Sequence, residues 1–174
     1  KISCIQSVKL NQSRSFWTIP AGISMRTLIQ GATSVLPTGT TDAAVLIEDS
    51  KILDLAPPAS AKVDQVVRAD GLFLIPGVVD DQVHFREPGL IYKGDIYTES
   101  KAAVAGGVTS FIDMPNTIPN VLSLEQLDEK YAIASKKSLA NFGFLLGVNS
   151  DNINEIIKAD TSGLLGITDD GLYF

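Results

Sequence analysis

Between Pro76 and Phe174 the chain alternates short apolar runs with helix-forming stretches, and each apolar run ends in a polar cluster. Gly77 to Phe85, Val108 to Ile112, Asn141 to Val148 and Leu164 to Ile167 read as strands. Asp95 to Ala105 reads as a helix stopped by Gly106-Gly107. A second helix starts at Ser123, which forms a capping box with Gln126, and runs to about Ser138. A third is capped by Ser150 or Asp151 and runs through Lys158. Such alternation demands an α/β fold with a parallel sheet and right-handed crossovers. Four β/α units can be counted, whereas a closed (β/α)₈ barrel needs eight and roughly 250 residues. An open doubly wound sheet competes with it, and in both the chemistry lies at the carboxyl ends of the strands.

Before Pro76 the pattern is different. Thr27 to Ile29, Ala44 to Ile47, Ile52 to Leu55, Val66-Val67 and Leu72 to Ile75 are short apolar runs separated by turn residues. Residues 25–76 are therefore expected to be β-rich, with Glu48 to Lys51 as a hairpin connection. Residues 1–24 show no sustained period and are read as an N-terminal extension or an irregular ordered arm.

Charge and composition narrow the function. A net charge of −6 argues against a nucleic-acid partner, because phosphate binding needs a basic face. No apolar stretch approaches the roughly 20 residues of a membrane span. Lys1 to Ser24 lacks the continuous apolar core of a signal peptide. The single cysteine, Cys4, excludes an intrachain disulfide and fits a reducing, cytoplasmic compartment. A small-molecule substrate is the expected partner.

The first strand ends Asp80-Asp81-Gln82-Val83-His84-Phe85-Arg86. Strict alternation would put Asp80, Gln82 and His84 on one face, opposite Val83 and Phe85. The second strand ends Asp113-Met114-Pro115-Asn116-Thr117, and the fourth ends Thr168-Asp169-Asp170-Gly171. Taken singly, each has an ordinary explanation: a satisfied histidine, a turn asparagine beside proline, an Asp-Gly turn. Their placement at successive strand ends points to a common polar rim. Glu87, Pro88 and Gly89 read as loop-shaping residues, Asp113 as a cap or turn, and Lys136-Lys137 as a solvated helix end.

The run His84-Phe85-Arg86-Glu87-Pro88-Gly89, preceded by Pro76-Gly77 and Asp80, resembles the signature of dihydroorotases in the amidohydrolase superfamily. So does Gly106-Gly107-Val108-Thr109 followed by Met114-Pro115-Asn116-Thr117. The resemblance extends in order and spacing from Met25 to Gly171. It implies a (β/α)₈ barrel, of which residues 77–174 are the first four units, and a small β-sandwich containing 25–76. It implies zinc-dependent interconversion of dihydroorotate and carbamoyl aspartate in pyrimidine synthesis. On this resemblance His84 matches the second histidine of a His-x-His metal motif. Arg86 and Asn116 match the pair that holds the substrate carboxylate, a task suited to the planar guanidinium fork. Asp170 matches a bridging aspartate of one branch; an alternative alignment sets Thr168 where another branch has a carboxylated lysine.

Two departures follow. Gln82 stands where the first histidine belongs, and an amide oxygen is a weaker zinc ligand than imidazole. His84 is the single histidine, so the resemblance puts the remaining histidine ligands and the general base beyond Phe174. The chain is therefore expected to be an N-terminal portion, inactive alone, that needs its C-terminal half or self-association to cover open sheet edges. A non-catalytic dihydroorotase-like subunit is one alternative. A dihydropyrimidinase, hydantoinase or allantoinase is another, against which the Arg86–Asn116 carboxylate pair argues.

Overall fold

The structure is a computed structural model and describes residues 24–161 and 163–169. The proposed extension thus lies, Ser24 excepted, outside the described residues, as does Asp170. The chain divides into two compact units, one ending at Pro76 and the other beginning at Gly77. No helix among the described residues is long and apolar enough to cross a membrane.

Among the described residues of the first unit the regular elements are all strands. β1 (Arg26–Gln30) lies between β4 (Val45–Glu48), antiparallel, and β6 (Gln65–Arg68), parallel. β5 (Lys51–Asp54) extends that sheet beyond β4. A second sheet has β2 (Thr33–Leu36) between β3 (Gly39–Thr41) and β7 (Phe73–Leu74). The hairpin expected at residues 48–51 joins β4 to β5, with Asp49 at φ 53°, a conformation that aspartate tolerates better than most residues. Its amide donates to Met25 O and its Oδ1 accepts from Met25 N, which ties the turn to the start of β1. β2 and β3 had no counterpart in the sequence reading. Their residues, Thr, Ser and Gly among them, give too short an apolar run to register as strands.

The second unit is mixed α/β. β8 (Val78–Val83), β9 (Val108–Asp113) and β10 (Asn141–Phe144) form a parallel sheet with β9 in the middle. One residue past β10, β11 (Leu146–Gly147) pairs in parallel with β12 (Ile167–Thr168). Among the described residues of this unit, strand neighbours follow sequence order, with no reversal of the kind a doubly wound sheet requires. The fourth strand is shorter and later than the expected Leu164 to Ile167, because Leu164 instead closes a turn on Thr161.

Helix α1 (Ile96–Ala105) packs on β9, and α2 (Leu124–Lys137) packs on β10 and α1. Between helices and sheet lies an aromatic core. Phe111 sits 4.4 Å from Phe85 and 6.4 Å from Phe142, and Tyr131 meets Phe144 edge-on at 4.8 Å. Burying each such ring contributes about 1.5–3 kcal/mol. The capping box of Ser123 and Gln126 is present as read from sequence. Helix α3 (Ile153–Lys158) begins differently from the expectation. Asn152, not Ser150 or Asp151, occupies the cap position, and its side chain makes no capping bond. That side chain donates instead to Leu122 O and Gly147 O, tying the start of α3 to the preceding loops.

Asp95 caps α1: its carboxylate accepts from Thr98 N at 2.7 Å, and this bond holds its pKa below the usual aspartate value. The lowered folded value means that the cap is fully effective above about pH 3.9 and fades as pH falls through the folded pKa. Replacing Asp95 by Ala is expected to cost about 1 kcal/mol at neutral pH. Denaturant titrations of parent and variant should converge as the medium is acidified through that range.

Candidate functional site

Val83 stands opposite Asp113 in the β8–β9 ladder, so the two strands release their chains at one level. The loops that follow, residues 84–95 and 114–122, run side by side. Met114 N donates to Val83 O, and Ile118 N donates to Pro88 O. The loops approach so closely at Gly89 that a Cβ there would lie 2.0 Å from Ile118 O. Gly89 also has φ +80°, so glycine is required for both space and conformation.

The simple alternation expected from Asp80 to His84 does not hold throughout. Three steps, Asp80 to Val83, oppose two, Phe111 to Asp113, which is a β-bulge. Asp80 is consequently out of step with the residues after it, and its Oδ1 accepts from Gln82 N at 3.2 Å. From Gln82 onward alternation resumes. Gln82 and His84 are exposed, while Val83 and Phe85 pack on the aromatic core.

His84 Nδ1 lies 2.9 Å from Asn116 Oδ1. This contact brings two of the residues singled out from sequence together across the loops. Arg86, two residues on and half-buried, adopts φ 66°, a left-handed conformation unfavourable for an arginine. Its carbonyl accepts from Leu90 N, which closes the turn around it. Strain of this kind persists only where the surroundings enforce it, and it collects at functional sites.

Charged side chains hold both loops from beneath. Asp113 Oδ1 accepts from Phe85 N at 2.9 Å and from Met114 N at 3.0 Å, and its Oδ2 pairs with Lys130 Nζ at 2.8 Å. Lys130 Nζ also donates to Met114 O and sits 4.9 Å from the Phe144 ring centroid. Both charged side chains are only 1% exposed. Burial pulls the Lys130 pKa down, against the pull of Asp113 in the other direction. Glu87, buried in its loop, accepts from Ile96 N at the start of α1 and pairs with Lys137 at the end of α2. That pairing raises the Lys137 pKa. Asp113 is thus more than a turn residue, Lys137 more than a solvated helix end, and Glu87 joins two helices to the loop it sits in.

The donors for a metal are sparse. Among the described residues no three or more His, Cys, Asp or Glu side chains gather to hold an ion. His84 supplies one imidazole, and Gln82 offers only an amide. Asp169 is exposed, and Asp170 lies outside the described residues. This set does not by itself fit a zinc centre, which takes three protein ligands even in an open catalytic site.

Comparison with known proteins supplies the family. The Dihydro-orotase-like family matches residues 71–174. The chain belongs to the dihydro-orotase-like family. The dihydro-orotase-like relatives are cyclic amidohydrolases of more than one kind. The chain is 34% identical over 146 residues to the allantoinase of Deinococcus radiodurans, covering 83% of this chain and 33% of the relative. It is 37% identical over 133 residues to a dihydroorotase of Streptococcus pyogenes, covering 75% and 32% respectively. Among solved structures it is similar to the L-hydantoinase of Arthrobacter aurescens. That match has a TM-score of 0.74 and 29% identity over 81% of this chain and 32% of the other. The chain thus spans about a third of the length of the curated relatives it matches.

If Arg86 is strained for the sake of its side chain, Arg86→Gly should relieve the backbone. The variant is expected to be more stable than the parent by up to about 1 kcal/mol in chemical denaturation. A loss of stability would show that the guanidinium holds the loop together.

Proposed function

We propose that this chain supplies the substrate-carboxylate grip of a dihydroorotase-type cyclic-amide hydrolase. In this reading residues 77–174 are the first four units of a (β/α)₈ barrel and 25–76 belong to a small β-sandwich. The observation that carries it is the His84–Asn116 contact, which joins the ends of two adjacent parallel strands two residues from a conformationally strained arginine. Arg86 and Asn116 would take the carboxylate of dihydroorotate or carbamoyl aspartate. The guanidinium contributes a fixed charge and a two-pronged donor, and the amide a further donor. Holding the carboxylate fixes the ring amide relative to the strand ends, where hydrolysis requires it. Zinc belongs to the dihydroorotase reading by resemblance. The described donors do not complete a site for it, so no step is assigned to a metal here, and no residue of this chain is assigned as general base.

Calorimetric titration of the purified chain with L-dihydroorotate tests the grip. Binding is expected for the parent, and Arg86→Met should weaken it by about 1.5–3 kcal/mol through loss of charge-assisted bonds. Equal binding by both proteins would remove the carboxylate argument. A second reading, an allantoinase or hydantoinase type, is favoured by the allantoinase relatives and the hydantoinase structure. Allantoin has no carboxylate, so tighter binding of allantoin than of dihydroorotate would select that reading. The thin donor set also generates an expectation: equilibrium dialysis against zinc should leave less than one ion per chain, with no dihydroorotase turnover. A tightly held stoichiometric ion would show that the chain completes a metal centre.

A further inference from the structure

The geometry points to Asp113 and Lys130 as a positioning pair that sets the loop bearing His84 and Arg86 against the loop bearing Asn116. This rests on the reading of Arg86 and Asn116 as a carboxylate grip, and it names what aligns them.

Asp113 directs its hydrogen bonds to the backbone of both loops. Phe85 lies between His84 and Arg86 and beyond Val83, the last residue of the β8 ladder. Its N–H is taken by the Asp113 side chain instead of by a neighbouring strand. The same carboxylate oxygen receives Met114 N, two residues before Asn116. One oxygen atom thus fixes the backbone immediately beside the candidate residues of both loops. The other oxygen is held by Lys130, whose ammonium also binds Met114 O. Lys130 comes from the middle of α2, so the carboxylate cannot rotate away from the loops without breaking the ion pair.

Stability alone does not explain such a pair. Exchanging a buried ion pair for apolar side chains of similar volume is often neutral or stabilising. What apolar residues would not supply is an acceptor for Phe85 N–H and a donor for Met114 O. The pair therefore gives the two loops a defined offset that a hydrophobic contact would leave loose.

The double variant Asp113→Leu/Lys130→Met separates the two roles. It removes one charge of each sign, so the net charge of the chain is unchanged. The chain has a single histidine, so its imidazole nitrogen and carbon resonances report the His84–Asn116 contact without assignment. The double variant is expected to stay folded, because the two buried charges leave together, to show His84 resonances shifted to those of Asn116→Ala, and to bind L-dihydroorotate about tenfold more weakly. A folded double variant with parental His84 resonances and parental binding overturns the proposal. The unaltered chain provides a check that needs no variant to fold. The Phe85 amide should exchange with solvent deuterium as slowly as the β9 amides, and exchange as fast as at exposed Ile91 and Tyr92 also overturns it. If the parent binds no dihydroorotate, the carboxylate reading fails by itself. The resonances and the exchange rate still decide whether the pair aligns the loops.

Discussion

The second unit is organised around a pair of opposite charges buried where β9 ends. Withdrawing a carboxylate and an ammonium from water is expensive, by several kcal/mol per ion even after relaxation. That expense is offset by the partners each charge finds. Here the carboxylate receives two backbone N–H groups and an ammonium, and the ammonium adds a carbonyl and the face of Phe144. The arrangement fixes three things together: the height at which β8 and β9 end, the rotation of α2 about its axis, and the path of the chain from Met114 to Asn116. Glu87 repeats the principle nearer the surface, where one carboxylate joins the first turn of α1 to Lys137 of α2.

Much of this was legible in the sequence, and the failures have identifiable causes. The second helix was readable because capping chemistry is local: Ser123 and Gln126 meet within one turn. The first was legible from its composition and the glycines that stop it, although Asp95 caps it and does not begin it. The His84-to-Gly89 and Met114-to-Thr117 runs were readable because their residue types are unusual for strand ends. The bulge between Asp80 and Val83 was not, since it is defined by what lies across the ladder. The roles of Asp113 and Glu87 were missed for the same reason, their partners being 17 and 50 residues away along the chain. Lys130 did leave a signal. It falls three residues after Leu127 and four before Ala134, in the buried stripe of an otherwise amphipathic helix. A lysine in such a stripe requires a buried acid, and the aspartate at the end of the preceding strand was available.

The proposed grip on a carboxylate draws on only two neighbouring strands, which is why it can be recognised in a chain spanning about a third of its relatives. Ligand recognition and metal binding place different demands on a fold. A guanidinium and an amide on adjacent loops suffice to orient a carboxylate, whereas a metal needs donors converging from several directions. On the proposed reading Arg86 and Asn116 would meet the first demand from two neighbouring loops. For the second, Gln82 and His84 offer one amide and one imidazole.

The interruption at Leu145 has its own consequence. Leu145 N still donates to Asp113 O on the β9 side, but Leu146 N and Val148 N donate to Gly166 O and Thr168 O on the other. Among the described residues β12 therefore pairs with β11 alone, outside the three-stranded ladder of β8, β9 and β10, and a Cβ at Gly143 would meet the Leu165 side chain at 2.6 Å. Leu146 of this two-residue ladder is also a member of the buried cluster that holds Phe85, Phe111 and Phe144. What few backbone bonds leave undone at β12, apolar burial on the β11 side supplies: the last strand is fastened through one side chain that the aromatic layer already owns.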